Sequence, residues 1–427
     1  MQKWLDVAVS APAHSQVGGL LSYGTDLPAL VGQLVRVPFG SREVLGVVWA
    51  VHSTPPHNLS AHALRQVTAV LEGIEPLSAH WRQLVQFTAQ YYQRSLGEVA
   101  MAALPPQLRD LTLVQMKRRL KKQPSSDEAL STALQSPWSL SAQQTEVLAQ
   151  LDQAPGPFLL HGATGSGKTE VYLQAVARCL AADPNAQALM MVPEINLTPQ
   201  LEARVKARFG DAGVVSLHSG MTGPQRLKSW LAAHQGSARI VLGTRMAIFA
   251  SLPNLKWIVV DEEHDASYKQ QEGARYSARD LAIYRARLEG AKVILGSATP
   301  SLESWHHSRP ATEGGRYLRL PMPARIGAGQ MPFVRRVDMN HQPRKTVLSA
   351  PLMAAIQERV AKGEQSMLLL NRRGYAPVLH CPDCDWKSEC SHCSAFRVFH
   401  KIDRTLRCHH CGFTERVPRA CPACGNA

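Results

Sequence analysis

The chain has 427 residues, 45% of them hydrophobic, which is enough to form about two to four domain cores. Its formal net charge of +14 favours a polyanionic partner such as nucleic acid, with a merely soluble cationic surface as the alternative. The sequence has no apolar run of about 20 residues and begins without a signal-peptide pattern. These features argue against membrane and exported proteins, so we expect a cytoplasmic protein.

Residues 1–105 are predicted to form a β-rich domain. Leu34–Pro38 and Val44–Val51 alternate or run apolar and read as two strands. A helical stretch follows around His80–Ser95. Residues 106–138 are polar and basic, and we expect a linker there.

A different pattern extends over residues 139–310, where short apolar runs alternate with helix-compatible segments. Continuous apolar runs are typical of parallel strands that are covered on both faces. The predicted strands are Phe158–Leu160, Ala188–Val192, Ile240–Leu242, Trp257–Val260 and Val293–Leu295. The pattern predicts an α/β domain with a parallel sheet.

A phosphate-binding loop follows the first of these strands and leads into a predicted helix. Residues 162–169 read GATGSGKT, which matches the G-x-x-x-x-G-K-T pattern in its expected strand–loop–helix context. Lys168 would reach the β- and γ-phosphates of ATP, and Thr169 would hold Mg²⁺. The expected nucleotide-binding residues are Gly162, Thr164, Gly165, Ser166, Gly167, Lys168, Thr169 and, upstream, Gln144. Gln144 would read the adenine, with an exposed helix residue as the alternative.

Two carboxylates follow the strand Trp257–Val260. In open α/β sheets ligands bind at the carboxyl ends of the strands, which is where Asp261 and Glu262 are expected to lie. Asp261 suits a magnesium-binding role, and Glu262 suits the residue that orients and deprotonates the attacking water. An acidic strand end that caps a helix is the alternative.

Further segments at strand ends complete the pattern. Gly243-Thr244-Arg245 and Gly296–Pro300 follow two other strands of the predicted sheet. The second contains Ser297-Ala298-Thr299, which resembles the segment that links the nucleotide and nucleic-acid sites of helicases. In this order, the loop, the carboxylates and these segments resemble the first motor lobe of a superfamily 2 helicase.

The last part of the chain is predicted to begin a second lobe and to end in a metal module. Residues 311–380 contain a predicted helix at Ala350–Lys362 and a predicted strand at Met367–Leu370. Residues 381–427 carry four Cys-x-x-Cys pairs, which supply enough thiolates for two closed, structural Zn²⁺ sites. Three pairings of the four units are possible. The nested one gives the sets Cys381, Cys384, Cys421 and Cys424 for zinc 1, and Cys390, Cys393, Cys408 and Cys411 for zinc 2. An iron–sulfur cluster is the alternative.

A helicase lobe followed by this cysteine array resembles the PriA family of bacterial replication-restart helicases, also called primosomal protein N′. The resemblance covers most of the chain. Supporting segments are Val35–Gly40, Pro193–Gln200, His218–Gly220, Asn371–Ala376 and, most distinctively, Ser267–Glu272 continuing through Arg275-Tyr276 to Arg279-Asp280. The last resembles the family's aromatic-rich loop, which couples DNA contact to ATP hydrolysis. The expected DNA-binding residues are Tyr268, Lys269, Arg275, Tyr276, Arg279 and Arg245.

The resemblance implies an ATP-driven 3′–5′ DNA helicase of the replication-restart primosome. Such a helicase binds branched and single-stranded DNA at abandoned forks and works with single-stranded DNA-binding protein and other primosome proteins. Its cofactors would be Mg²⁺ and two Zn²⁺. The N-terminal domain of the family binds the 3′ end of the nascent leading strand.

Three departures from the family set further expectations. The family's Phe-Asp-Tyr corresponds to Leu21-Ser22-Tyr23, without the acid, so recognition of a 3′-hydroxyl stays open. The winged-helix domain is expected to be shortened or missing within residues 106–138. The sequence ends three residues after Cys424, so we expect the arginine-finger part of lobe 2 to be absent and hydrolysis to be inefficient. A fork-binding and partner-docking module without catalysis, or a translocase that does not unwind, is the alternative.

Overall fold

The computed structural model describes residues 2–11, 19–55, 64–110, 115, 139–193, 199–210, 213–326, 332–343, 346–369, 378–392, 395–409 and 411–426. Packing divides the chain into two compact units, Met1–Gln330 and Met331–Ala427. Among the residues described, no helix is both long and apolar enough to cross a membrane.

The first unit begins with a five-stranded antiparallel sheet of order β2-β1-β4-β3-β5. Its strands are β1 (Lys3–Val9), β2 (Leu21–Thr25), β3 (Leu34–Phe39), β4 (Arg42–His52) and β5 (Ala69–Val70). The two strands predicted here are confirmed as β3 and β4, each slightly longer than its apolar run. The described residues that follow include the helices α1 (Ala79–Tyr91), α2 (Leu96–Ala102) and α3 (Gln107–Asp110).

The single helical stretch predicted around residues 80–95 is wrong in its extent, because α1 ends in a tight C-terminal turn. Gln93 adopts a left-handed conformation with φ of +55°. Its N–H donates to Gln90 O at 3.3 Å, and the Arg94 N–H donates to Ala89 O at 2.8 Å. This is the hydrogen-bond pattern of a Schellman motif, and it fixes the position of Tyr92 at the end of α1.

The α/β domain contains a seven-stranded parallel sheet of order β12-β6-β11-β10-β7-β9-β8. Its strands are β6 (Phe158–Gly162), β7 (Gln187–Met191), β8 (Val214–Leu217), β9 (Ile240–Gly243), β10 (Leu255–Val260), β11 (Lys292–Ser297) and β12 (Leu318–Met322). Its helices are α4 (Ala142–Gln153), α5 (Lys168–Ala182), α6 (Pro199–Phe209), α7 (Gly223–His234), α8 (Ala278–Glu289) and α9 (Leu302–His307). The parallel sheet is confirmed, but β12 lies beyond the boundary predicted at residue 310. The predicted end of this domain at residue 310 is therefore corrected to a position after β12.

The N-terminal domain and the α/β domain share one hydrophobic core. This core contains residues of α1 and α2 together with residues of β7, β10 and α8. The Trp81 indole donates a hydrogen bond to Phe249 O at 2.9 Å, and the rings of Phe87 and Tyr284 stack with centroids 3.7 Å apart. The helices of the N-terminal domain thus pack directly against the α/β domain.

The second unit contains α10 (Ala350–Ala361) and a three-stranded antiparallel sheet of β13 (Val398–His400), β14 (Thr405–Arg407) and β15 (Thr414–Arg416). The predicted helix at 350–362 is confirmed. The prediction of a strand at 367–370 is wrong for residues 367–369, and residue 370 lies outside the described residues. Met367–Leu369 is irregular, with Met367 and Leu369 more than nine-tenths exposed, because no described strand pairs with it.

Candidate nucleotide, DNA and zinc sites

The phosphate-binding loop joins β6 to α5 and depends on its glycines. Gly165 and Gly167 have φ values of +83° and +81°, which favour glycine. A Cβ on Gly162 would lie 2.5 Å from Ser166 Oγ, so the loop is packed too closely for a larger residue. Lys168 Nζ donates to Gly162 O at 2.9 Å, and the buried Ser166 Oγ has no partner among the described residues. This unused hydrogen-bonding capacity fits a phosphate group.

The loop and the carboxylates at the end of β10 line one cavity of about 500 Å³. Lys168, Thr169, Asp261 and Glu262 all contribute to its wall. A hydroxyl and a carboxylate are ligands that suit Mg²⁺, so Thr169 and Asp261 would hold the ion and bring its charge to the phosphates.

Asp261 is held by two donors and has a perturbed ionisation. Its Oδ1 accepts hydrogen bonds from the Tyr172 hydroxyl and from the Glu262 N–H, both at 3.1 Å. Burial raises the pKa of the Asp261 carboxyl, and the nearby Glu262 carboxylate raises it further. Mg²⁺ needs the deprotonated form, so its binding should strengthen as the pH rises through this raised pKa.

Glu262 and Glu263 have different environments although they are neighbours. Glu262 adopts a left-handed backbone conformation with φ of +46°, and its side chain reaches the cavity with 32% of its surface exposed. The side chain of Glu263 is fully buried. Glu262 therefore has the access to water that a general base needs, and Glu263 does not.

Glu263 joins the end of β10 to the starts of α8 and α9. Its carboxylate accepts hydrogen bonds from Ser301 N at 2.7 Å and from Ser304 Oγ at 2.8 Å. It also pairs with Arg279, whose guanidinium lies 3.4 Å away and donates to Ser301 Oγ at 2.9 Å. Arg279 is therefore engaged inside the protein rather than free for DNA.

His264 connects the carboxylates to the Ser-Ala-Thr segment. Its Nδ1 lies 2.8 Å from Ser297 Oγ, and its Nε2 lies 3.5 Å from Thr299 Oγ1. A change in either segment would disturb the other through these contacts.

Gln144 links the start of α4 to the phosphate loop through hydrogen bonds. It is 2% exposed; its Oε1 accepts from Ser141 N and its Nε2 donates to Gly167 O at 3.2 Å. Ser141 Oγ accepts from the Gln144 N–H in return, which completes a capping box at the start of α4. Each end of the amide keeps one further hydrogen-bonding site, so these bonds leave Gln144 able to contact an adenine.

The aromatic-rich loop differs most from its sequence-based expectation. Tyr268 is 2% exposed, and its hydroxyl donates to Asp261 O at 2.6 Å and Met191 O at 3.0 Å. Its ring therefore cannot stack on a base, and the expectation of a DNA contact is corrected. Tyr276 packs edge-on against Phe249, and burial raises its pKa to about 12.

The exposed cations of the loop are Lys269 and Arg275. Arg245, which follows β9, is instead bonded to the loop: its Nε donates to Gln270 Oε1 at 2.6 Å and its NH1 donates to Ser267 O at 3.1 Å. Of the expected DNA-binding residues, Lys269 and Arg275 are thus the ones accessible to a backbone phosphate.

In the N-terminal domain, the carboxylate of Asp6 lies beside Ser22, the position at which the family has an aspartate. The β1–β2 register places Asp6 opposite Ser22, and the Ser22 hydroxyl donates to Asp6 Oδ1 at 2.8 Å. His52 Nε2 lies 2.8 Å from Asp6 Oδ2. Sequence reasoning missed Asp6 because strand register decides this proximity.

Three of the Cys-x-x-Cys pairs, those in which the structure describes both cysteines, form tight turns. Asp385, Gly412 and Gly425 each follow the second cysteine of a unit and have φ values of +59°, +78° and +76°. Each turn closes through a hydrogen bond to the carbonyl of its first cysteine, as in the 2.9 Å bond from Gly412 N to Cys408 O. These turns aim both thiols of a unit in one direction.

The thiols gather in the nested arrangement. Cys381, Cys384, Cys421 and Cys424 form one group, and Cys390, Cys408 and Cys411 form another, each with sulfur atoms within 4.8 Å of one another. Cys393 lies outside the described residues. Four thiolates with no open position fit a structural Zn²⁺ ion.

Three residues in or directly behind the nucleotide cavity carry no motif signal and were missed. Tyr172 donates to Asp261, Arg204 lines the cavity from α6, and Ile326 covers the loop through a 2.9 Å bond from its N–H to Gly165 O. Arg204 and Ile326 are far from the phosphate loop in the chain, and Tyr172 is far from Asp261, so only the fold brings these contacts together.

Three family models match separate parts of the chain. A model described as DEAD/DEAH box helicase matches residues 141–307, and a 3′DNA-binding domain matches residues 6–105. A third, the PriA DNA helicase Cys-rich region domain, matches residues 390–416.

Curated relatives named replication restart protein PriA align with much of the chain. The Haemophilus influenzae protein is 35% identical over 94% of this chain and 63% of its own length. The Treponema pallidum protein is 33% identical over 99% of this chain and 62% of its own length. The Bacillus subtilis protein is 43% identical over 63% of this chain and 33% of its own length. The chain thus spans at most about three fifths of the length of these relatives. Two PriA-type domains flanking a helicase domain, with a relative that aligns over 99% of this chain, show that the chain belongs to the PriA family of replication restart proteins.

Proposed function

We propose that this chain works in an ATP-dependent 3′–5′ DNA helicase of the replication-restart primosome. In this role the protein binds stalled or abandoned forks, exposes single-stranded DNA and promotes reloading of the replicative helicase. The observation that carries the proposal is the single cavity that combines the phosphate loop with Asp261 and Glu262. The family relatives supply the replication-restart context.

In the proposed reaction, each residue has a separate task. Lys168 and the loop N–H groups bind and orient the phosphates, and Glu262 accepts a proton from the attacking water. Mg²⁺, held by Thr169 and Asp261, would supply positive charge at the phosphates. His264 and Ser297 connect this site to the surface on which DNA is expected to bind.

A strand-displacement assay on forked DNA with ATP tests this proposal. Lys168→Ala should lower both ATP hydrolysis and unwinding by about 100-fold or more, because a fixed positive charge at the reacting phosphates is lost. Lys228→Ala removes an equal charge from an exposed position on α7 and should leave both activities intact. Unwinding that survives Lys168→Ala would show that the motor site is assigned to the wrong residues. Hydrolysis without displacement would indicate a translocase.

We also infer that Asp6 replaces the family's missing acid in binding a 3′-terminal hydroxyl. The inference rests on the hydrogen bond between Asp6 and Ser22 and on the match to a 3′DNA-binding domain. Asp6→Asn should reduce the preference for a 3′-hydroxyl over a 3′-phosphate end by about 2–10-fold, since a charged acceptor is lost. Asp26→Asn, on the exposed end of the same hairpin, is the control. An unchanged preference in Asp6→Asn would exclude the role.

Protein partners follow from the same proposal. Single-stranded DNA-binding protein and other primosome proteins are expected to dock on the complete protein. Co-sedimentation of purified components with forked DNA would test this, and recruitment that is independent of this protein would count against it.

A further inference from the structure

The aromatic-rich loop is held at its base from two sides. Residues 269–277 form a hairpin-like loop closed by an antiparallel bridge between Lys269 and Ser277 and by a 2.8 Å hydrogen bond from Gln270 N to Tyr276 O. Arg245 holds one side of this base from within the α/β domain. The other side faces the N-terminal domain.

Tyr92 of the N-terminal domain contacts the base of the loop twice. Its hydroxyl accepts a hydrogen bond from Ser277 N at 3.0 Å. The ammonium group of Lys269 lies 5.1 Å from the centroid of its ring, within the range of a cation–π interaction. Both residues of the closing bridge are therefore contacted by one side chain.

Contacts at the end of α1, separate from those with the loop, fix the position of Tyr92. It is the C-cap residue of α1, where the left-handed Gln93 and the two bonds of the Schellman motif set the backbone. The neighbouring Phe87 stacks on Tyr284 of α8, so the end of α1 is also packed against the helix that Ser277 caps. Tyr92 can therefore act as a rigid support.

The loop reaches the nucleotide site through the residue that precedes it. Tyr268 immediately precedes Lys269 and donates to the carbonyl of Asp261, the expected magnesium-binding residue. The path from Tyr92 to Lys269 to Tyr268 to Asp261 consists of direct contacts and adjacent residues. A shift at the base of the loop would change the support of the Asp261 backbone.

We propose that Tyr92 is a positioning residue of the N-terminal domain that holds the base of the 269–277 loop and thereby sets how strongly bound DNA and bound nucleotide influence each other. This rests on the proposed function, with DNA contacting the loop at the exposed Lys269 and Arg275. The N-terminal domain then takes part in motor coupling, in addition to binding DNA itself.

The test measures the affinity for single-stranded DNA with and without a nonhydrolysable ATP analogue and Mg²⁺, and the ratio of the two affinities is the coupling factor. Tyr92→Phe removes only the hydroxyl and should lower this factor by about 2–10-fold, because one hydrogen bond is lost. The DNA affinity without nucleotide and the melting temperature should change little, which a general loss of structure would not allow. Tyr91→Phe, at the adjacent exposed position, should leave the factor unchanged.

A second measurement distinguishes a failure of this proposal from a failure of the proposed function. Amide hydrogen exchange in residues 269–277 of the ligand-free protein should be faster in Tyr92→Phe and Tyr92→Ala than in the wild type or Tyr91→Phe. If the wild type shows no coupling, the proposed function fails, and the exchange rates still decide whether Tyr92 positions the loop. An unchanged coupling factor in both Tyr92 variants, or unchanged exchange, would overturn the proposal.

Discussion

At the scale of single residues, Glu262 and Glu263 show how neighbouring identical side chains take different roles. The left-handed backbone at Glu262 directs its side chain to the cavity, and Glu263 turns into the protein. A buried carboxylate is tolerated only when donors satisfy it, and Glu263 has the serines of α9 and Arg279. We therefore expect Glu262 to serve the chemistry of the site and Glu263 to serve its structure.

Glu263→Gln should lower the free energy of unfolding by about 2–4 kcal/mol, because an amide cannot accept all of these hydrogen bonds and leaves Arg279 without its buried partner. Glu262→Gln should leave stability within about 0.5 kcal/mol and abolish ATP hydrolysis. Chemical denaturation and a phosphate-release assay would measure the two effects. Equal destabilisation by both variants would contradict this division of roles.

At the scale of elements, β12 shows that the sheet needs a strand beyond the last motif. Leu320 and Met322 are buried against the core, and β12 pairs with β6 along its whole length. The Ala163 N–H also donates to Met322 O at 3.2 Å, so this strand supports the phosphate loop directly.

A chain shortened to residues 1–310 should therefore be destabilised by about 3–6 kcal/mol relative to residues 1–330, from the loss of two buried side chains and a strand edge. Thermal unfolding and binding of a fluorescent ATP analogue would compare the two chains. Equal melting temperatures and equal nucleotide affinities would show that β12 is dispensable.

At the scale of the whole molecule, the two compact units depend on different sources of stability. Residues 1–330 contain the large hydrophobic cores. In residues 331–427, the described core is small, and seven described thiols gather in two groups. With so little apolar burial in its described residues, we expect this unit to depend on bound zinc for its fold.

Metal analysis should return about two zinc ions per chain, and Cys384→Ser should reduce this to about one, because three thiolates bind zinc more weakly than four. Cys179→Ser is the matched control, since Cys179 lies on α5 outside both groups. Chelation should expose residues 331–427 to protease and leave residues 1–330 resistant. Two zinc ions retained by Cys384→Ser would contradict the grouping.

The sequence alone determined the features that are contiguous in the chain. The phosphate loop, the acidic end of β10 and the Cys-x-x-Cys units could be predicted because their chemistry depends on residue types at fixed short spacings. The parallel sheet could be predicted because strands that are buried on both faces require unbroken apolar runs.

The tertiary structure decided what depends on packing between distant segments. An aromatic residue next to basic ones predicts base stacking, but only the fold shows that Tyr268 is buried and holds Asp261. Strand register brings Asp6 to Ser22, and the shared core brings Tyr92 to Ser277. Such contacts join residues far apart in the chain, so no local spacing encodes them. The sequence therefore predicted the candidate site and its chemistry, and three-dimensional packing determined which neighbours hold each group in place.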